Sequence, residues 1–222
     1  MIDIYKASVK NVAELKKRAK NVKRLINAEL KSGNCYEVET LTKVYALMYS
    51  AFAETAFLKM INTPYGFDDN QINQVLKCRN LEEKWKKCME FALSSLDKDG
   101  ETANKKKKLL NILDEYIIKP SKIRNKVAHG QWKECLNNDC THVNNELTTQ
   151  MQALDYSQIS RLFEIYERFS QIVEDLIESP DKTHYRDYYL RLVDLEAYIK
   201  RTSGYCIEDK KIILKNNKPK NN

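Results

Sequence analysis

Residues 156–178, YSQISRLFEIYERFSQIVEDLIE, decide the fold class of this 222-residue chain. Their apolar side chains recur at intervals of three and four residues, so they fall along one side of an α-helix. These apolar residues are Ile159, Leu162, Phe163, Tyr166, Phe169, Ile172, Val173, Leu176 and Ile177. Polar residues fill the other positions, which predicts one long amphipathic helix that ends at Ser179-Pro180.

Most of the remaining chain has the same helical pattern. Helices are predicted over 8–31, 36–61, 69–77, about 80–96, 102–119 and 182–201. Segment 36–61 is apolar on most of its faces, which predicts a central helix. Only five glycines and four prolines interrupt the chain, which favours long helices over a sheet. The sequence therefore predicts an all-α bundle.

Two short segments depart from the helical pattern. Two extended pieces around Asn137-Asn138-Asp139 predict a small β-hairpin over 134–143, inserted after the helix that begins near Pro120. The apolar run within 205–214 favours a short strand. We expect residues 1–215 to form a single helical domain and residues 216–222 to be a disordered basic tail.

Composition limits the classes of function. Apolar residues make up 42% and charged residues 31% of the chain, which is typical of a globular protein in water. The net charge of +7 is compatible with RNA binding without requiring it. No apolar run approaches the roughly 20 residues that span a bilayer, and the N-terminus lacks the pattern of a signal peptide. The six cysteines are therefore expected to be free thiols in the cytoplasm.

The segment whose side chains are suited to catalysis is Arg124–His129, RNKVAH, which is followed directly by Gly130-Gln131-Trp132. Cleavage of RNA without a metal requires proton transfer from the 2′-OH and to the leaving 5′-oxygen, and the phosphorane between them is highly charged. Histidine suits proton transfer near neutral pH, and arginine stabilises the phosphorane through its permanent charge. Asn125 and His129, four residues apart, share a helix face, whereas Arg124 lies about 140° from His129 on an ideal helix.

This Arg-Asn-x3-His element resembles the signature of the HEPN superfamily, whose all-α members include many metal-independent ribonucleases. The resemblance implies a HEPN-like helical bundle and an endoribonuclease that leaves a 2′,3′-cyclic phosphate and a 5′-OH. His129 would be the acid/base, Arg124 would stabilise charge, and Asn125 would have a positioning role, by a hydrogen bond to a phosphate oxygen or by orienting His129. It also implies a homodimer with a composite active site, no cofactor, and a role as a toxin or phage-defence effector with an antitoxin or other regulatory partner.

Four further residues are predicted to support the site. Lys126, Gln131 and Trp132 lie within or beside the element, and Glu54 lies in the apolar segment 36–61. A carboxylate in such a segment is costly unless it is paired or reaches the surface. Glu54 therefore either pairs with a cation such as Arg124 or is solvated.

Other interpretations of the same residues remain open. The chain could be a non-catalytic HEPN module that binds a nucleotide, RNA or a partner protein, or a helical interaction protein in which the element is accidental. Cys135, Cys140 and His142 are three possible zinc ligands, but their spacing is not that of a zinc finger and no fourth ligand is evident. We therefore predict no metal site.

Overall fold

The computed structural model describes residues 2–94, 100–178 and 184–216. The helices in these ranges are α1 (Ile2–Ser32), α2 (Cys35–Ile61), α3 (Asp69–Leu76), α4 (Leu81–Leu93), α5 (Gly100–Leu113), α6 (Lys119–Ala128), α7 (Asn145–Gln152), α8 (Tyr156–Glu178), α9 (His184–Arg201) and α10 (Ile207–Asn216). The all-α prediction is confirmed, since these ranges contain no strand. The predicted stop at Ser179-Pro180 and the tail after Asn216 lie outside the described residues.

Helices α1 and α2 form an antiparallel pair joined by a tight turn. Gly33 has a φ of 81°, a left-handed conformation that glycine adopts without steric cost. The side chain of Asn34 then caps α2 by accepting a hydrogen bond from the amide of Glu37. Helix α2 also packs against α6 and α8, which confirms the predicted central helix.

Aromatic side chains fill the seam between α2 and α8. The ring of Phe52 stacks on that of Phe163 with centroids 4.2 Å apart, and the Tyr166 hydroxyl donates a 2.6 Å hydrogen bond to the Ala53 carbonyl. Gly66 lies against the same seam. A Cβ there would overlap Ile177 Cγ2 and come within 3.2 Å of the Ile177 carbonyl oxygen, so the loop can approach α8 only with glycine.

Helix α6 continues from α5 through a π-helical turn, Asp114–Ile118. Pro120 explains this wider turn, because a proline has no N–H to donate and its ring clashes with the carbonyl four residues earlier. The amide of Lys119 instead bonds to the carbonyl of Asp114, five residues back. Pro120 therefore lies in the first turn of α6, as predicted.

Two minor predictions require correction. The hairpin expected over 134–143 is only a single antiparallel bridge between Leu136 and Val143, so its two sides form no strand. The strand expected within 205–214 is wrong, because α10 occupies this segment and packs against α1 and α8. The Asp209 carboxylate accepts a 3.0 Å hydrogen bond from the Cys206 amide, an arrangement that starts a helix.

No helix in the described ranges has both the length and the apolar character needed to cross a membrane.

Candidate functional site

The Arg-Asn-x3-His element occupies the second half of α6 and its C-cap. His129 is the C-cap residue, and the amide of Gly130 donates to the Val127 carbonyl at 3.1 Å. The amide of Gln131 donates to the Lys126 carbonyl at 3.0 Å, which completes a Schellman motif. Gly130 has the left-handed φ of 75° that this motif requires. The predicted helix stop at Gly130 is confirmed, and the turn fixes the backbone of His129.

Arg124 points into the interior. Its side chain is only 5% exposed, and its guanidinium carbon lies 5.8 Å from the centroid of the Tyr49 ring on α2. No hydrogen bond or ion pair joins the guanidinium to the described part of the chain, and its Nε is fully enclosed without a partner. A buried, unpaired cation is energetically costly, and a cation–π contact offsets only part of this cost.

Two buried tyrosines surround this charge. Burial raises the pKa of Tyr49 to about 12, although the positive charge of Arg124 opposes the increase. Burial also raises the pKa of Tyr166, and Arg124 again acts in the opposite direction. Both hydroxyls therefore stay protonated at neutral pH, and neither is a counterion for Arg124.

Asn125 and His129 lie on the exposed side of the same helix. Their shared face agrees with the four-residue spacing. Neither side chain forms a hydrogen bond with the described residues, so both are free to contact a ligand. The structure thus brings Asn125 and His129 together on the surface and places Arg124 on the inner side of α6.

The predicted supporting residues Lys126, Gln131 and Trp132 hold the following loop against α6. Trp132 Nε1 donates a 3.0 Å hydrogen bond to the Val127 carbonyl, and Gln131 Oε1 accepts a 2.7 Å hydrogen bond from the Leu136 amide. Lys126 Nζ approaches the Asn137 carbonyl at 3.5 Å. These contacts order the chain after His129.

Glu54 does not pair with Arg124. It lies on the exposed side of α2, and no ion pair joins the two side chains. Of the two alternatives for Glu54, the structure therefore has the solvated one.

The three possible zinc ligands differ in burial. Cys135 is buried against Met151, whereas Cys140 and His142 are exposed. Within the described residues no group of three such side chains is placed to hold a metal ion.

A cleft of about 500 Å³ opens beside the loop that carries Trp132. The ends of α1 and α7 and the starts of α2, α8 and α10 surround it, and Trp132 and Lys43 both line it. Lys43 is only 7% exposed, and no hydrogen bond or ion pair connects it to the described part of the chain. This cleft is large enough for a small organic ligand.

Sequence reasoning missed the tyrosines around Arg124 and the residues of this cleft. Lys43 and Trp132 are nearly ninety positions apart in the sequence, and only the packing of α2 against α6 and its loop brings them together. The apolar pattern of α2 was the one signal in the sequence that could have pointed to these residues, because it predicted a central helix in contact with several others.

Comparison with models of protein families, with curated protein sequences and with solved structures finds no match for this chain.

Proposed function

We propose that this protein is a metal-independent endoribonuclease of the HEPN type. The observation that supports the proposal is the buried Arg124 guanidinium, which lacks a carboxylate partner, on the short helix that ends at the exposed His129. A structural arginine at this depth is normally paired. An arginine held without a partner keeps its charge available for an anion such as a phosphate.

The roles of the three residues follow from their positions. His129 removes the proton from the ribose 2′-OH or donates one to the 5′-oxygen, because it is exposed and its backbone is fixed by the Schellman motif. Asn125, on the same face, binds a phosphate oxygen. Arg124 Nε is enclosed and has no hydrogen-bond partner, and we assign the guanidinium charge to stabilisation of the phosphorane.

A homodimer would complete the site. Each chain provides one histidine in the element, whereas the reaction includes two proton transfers. A two-fold axis beside α6 would place two copies of Asn125 and His129 in a shared cleft. RNA would lie across this cleft, and the net charge of +7 favours its approach. A toxin or phage-defence role, with an antitoxin or another regulatory partner, belongs to the same proposal.

The test is incubation of the purified protein with total RNA in the presence of EDTA. The wild type should cleave RNA and leave 2′,3′-cyclic phosphate ends, and His129→Ala should reduce the rate by about 10²–10⁴-fold. The melting temperature of His129→Ala should stay within a few degrees of the wild type, because the side chain is exposed.

His142→Ala is the matched control, since it removes another exposed histidine from the loop that follows α6. It should leave cleavage unchanged. Equal loss of activity in both variants, or cleavage that EDTA abolishes, would contradict the assignment. Light scattering gives the mass of the active species, and a monomer that cleaves at full rate would exclude the composite site.

The second candidate is a non-catalytic module that binds a nucleotide. The cleft beside Trp132 favours it, because a half-exposed indole can stack on a base and the buried, unpaired Lys43 can hold a phosphate. The hydrogen bond from Trp132 Nε1 to the Val127 carbonyl fixes the orientation of the ring.

Tryptophan fluorescence separates the two candidates. The chain has two tryptophans, and Trp85 is fully buried, so a ligand in the cleft should alter the emission of Trp132. The binding module predicts saturable quenching by a mononucleotide that Lys43→Met removes, without any cleavage of RNA. Cleavage that depends on His129, with no quenching, would exclude this second candidate.

A further inference from the structure

A second, smaller cavity lies where α1, α8, α9 and α10 meet. Its volume is about 200 Å³. Its lining combines three cations with hydroxyl-bearing side chains and contains no carboxylate: Lys23, Tyr156, Ser157, Ser160, Arg161, Tyr198, Thr202, Tyr205 and Lys210. The three cations favour negative charge in this cavity, and the hydroxyl groups can donate hydrogen bonds to it.

The positive charges in this cavity are not neutralised. Neither Lys23 nor Lys210 forms an ion pair or a side-chain hydrogen bond with the described part of the chain. Burial and the neighbouring Lys210 lower the pKa of Lys23, and Glu164 opposes this decrease. Glu164 itself is bound to Arg168 at 2.7 Å, so it is not free to pair with Lys23.

Hydrogen bonds to the C-terminal end of α9 and the residue after it hold the Arg161 side chain in place. Its Nε donates a 2.9 Å hydrogen bond to Thr202 Oγ1, and its Nη2 donates a 3.2 Å hydrogen bond to the Ile199 carbonyl. Its guanidinium also lies over the ring of Tyr116, with 5.3 Å between the guanidinium carbon and the ring centroid. These contacts fix the guanidinium plane at the wall of the cavity and leave Nη1 unbonded.

A buried hydroxyl in the same lining also lacks a partner. Ser157 is 3% exposed, and its Oγ forms no hydrogen bond. Since buried hydroxyls in folded proteins are usually bonded, this one is available to donate a hydrogen bond to a ligand in the cavity.

We propose that this cavity binds a phosphate group, held by Lys23, Lys210 and Arg161 and by the hydroxyl of Ser157. Its volume is below the roughly 300 Å³ of sites for whole drug-sized ligands and is sufficient for one phosphate group. The phosphate is either a free anion or part of RNA. The site is independent of the cleavage proposed at His129, since it shares no residue with the Arg-Asn-x3-His element.

The test is calorimetric titration of the full chain with inorganic phosphate, in chloride buffers matched for ionic strength. Lys23→Gln and Lys210→Gln should each weaken phosphate binding by about 10- to 100-fold, because each removes a charge-assisted hydrogen bond. Lys20→Gln is the control on α1, at an exposed lysine without an ion pair, and should leave the affinity unchanged.

Ser157→Ala separates ligand binding from folding. Removal of an unpartnered buried hydroxyl should leave the melting temperature without phosphate unchanged or raise it, while the affinity for phosphate falls. The proposal is overturned if phosphate binding does not saturate, or if Lys20→Gln weakens it as much as Lys23→Gln does.

Titration with a short RNA identifies the source of the phosphate. If the phosphate belongs to RNA, Lys23→Gln and Lys210→Gln weaken RNA binding and inorganic phosphate competes with it. If the ligand is a free phosphate anion, the same variants lose phosphate binding and keep the wild-type affinity for RNA. Both titrations measure binding alone, so their outcome does not depend on whether the protein cleaves RNA.

Discussion

The two ends of the Arg-Asn-x3-His element lie in opposite environments. Arg124 is enclosed among the tyrosines of α2 and α8, without a hydrogen bond or ion pair to the described residues. His129, five residues later, is exposed at the C-cap of α6. At the inner end the surrounding core determines the position of the side chain, whereas at the outer end the backbone turn determines it.

This difference changes how mutations at the two ends can be interpreted. A substitution at Arg124 alters packing and charge in the core, so a loss of activity there can reflect misfolding. A substitution at His129 alters a solvated side chain, so a loss of activity reflects chemistry. The most informative variants are therefore those that separate stability from function at the inner end.

Arg124→Met should have the largest effect. Methionine fills a similar volume without charge, so the melting temperature should be at least that of the wild type, because an unpaired buried cation is removed. RNA cleavage should fall by about 10²–10³-fold, as expected when a group that stabilises charge in the transition state is lost. Thermal unfolding and cleavage rates of the same preparation provide the measurement.

Arg18→Met is the control, because Arg18 is an exposed arginine on α1 that pairs with Glu14. It should not alter cleavage. A strongly destabilised Arg124→Met would show that the arginine is structural, and unchanged cleavage would remove Arg124 from the proposed site.

The next effect concerns alkaline pH and Tyr49. Burial raises the pKa of Tyr49 to about 12, so the unfolded chain loses this proton near pH 10 while the folded chain keeps it. The folded state therefore loses stability as the pH rises from about 10 to 12. At pH 11 the raised pKa of Tyr49 lowers the free energy of unfolding by about 1.4 kcal/mol, and Tyr49→Phe should abolish this loss.

The measurement is the difference in unfolding free energy between pH 9 and pH 11, for the wild type and Tyr49→Phe. Tyr65→Phe, at a tyrosine that is 94% exposed, is the control and should retain the wild-type difference. An equal loss in the wild type and Tyr49→Phe would mean that water reaches the Tyr49 hydroxyl and hence the Arg124 guanidinium.

The sequence predicted most of the helices because their signals are local, but it missed α7 and predicted a strand in place of α10. The apolar spacing of 156–178 and the stop at Gly130 depend on residues within a few turns of each other. The strand expected within 205–214 failed because three consecutive apolar residues suit either structure. Ile207 and Leu214 pack against the core, and their spacing of seven residues places them on one face of a helix.

The candidate site was predictable only in part. The periodicity of a helix places Asn125 and His129 together, and it places Arg124 away from them. It does not reveal which side of α6 faces the core, because that depends on the packing of α2 and α8. The cations of the smaller cavity come from α1, α8 and α10, and no short pattern in the sequence connects them.

The smallest expected effect is at the outer end, where Gln131→Ala removes the acceptor for the Leu136 amide. Because Leu136 is only half-buried, water replaces part of this bond, and global stability should fall by less than about 1 kcal/mol. The amide of Leu136 should exchange with solvent about tenfold faster, while amides of α2 around Tyr49 keep their protection. Gln131→Glu retains an acceptor oxygen and should exchange at nearly the wild-type rate. Faster exchange in both α2 and the loop would show that the two ends of the element move as one unit, and the separation between a core-held Arg124 and a turn-held His129 would then be wrong.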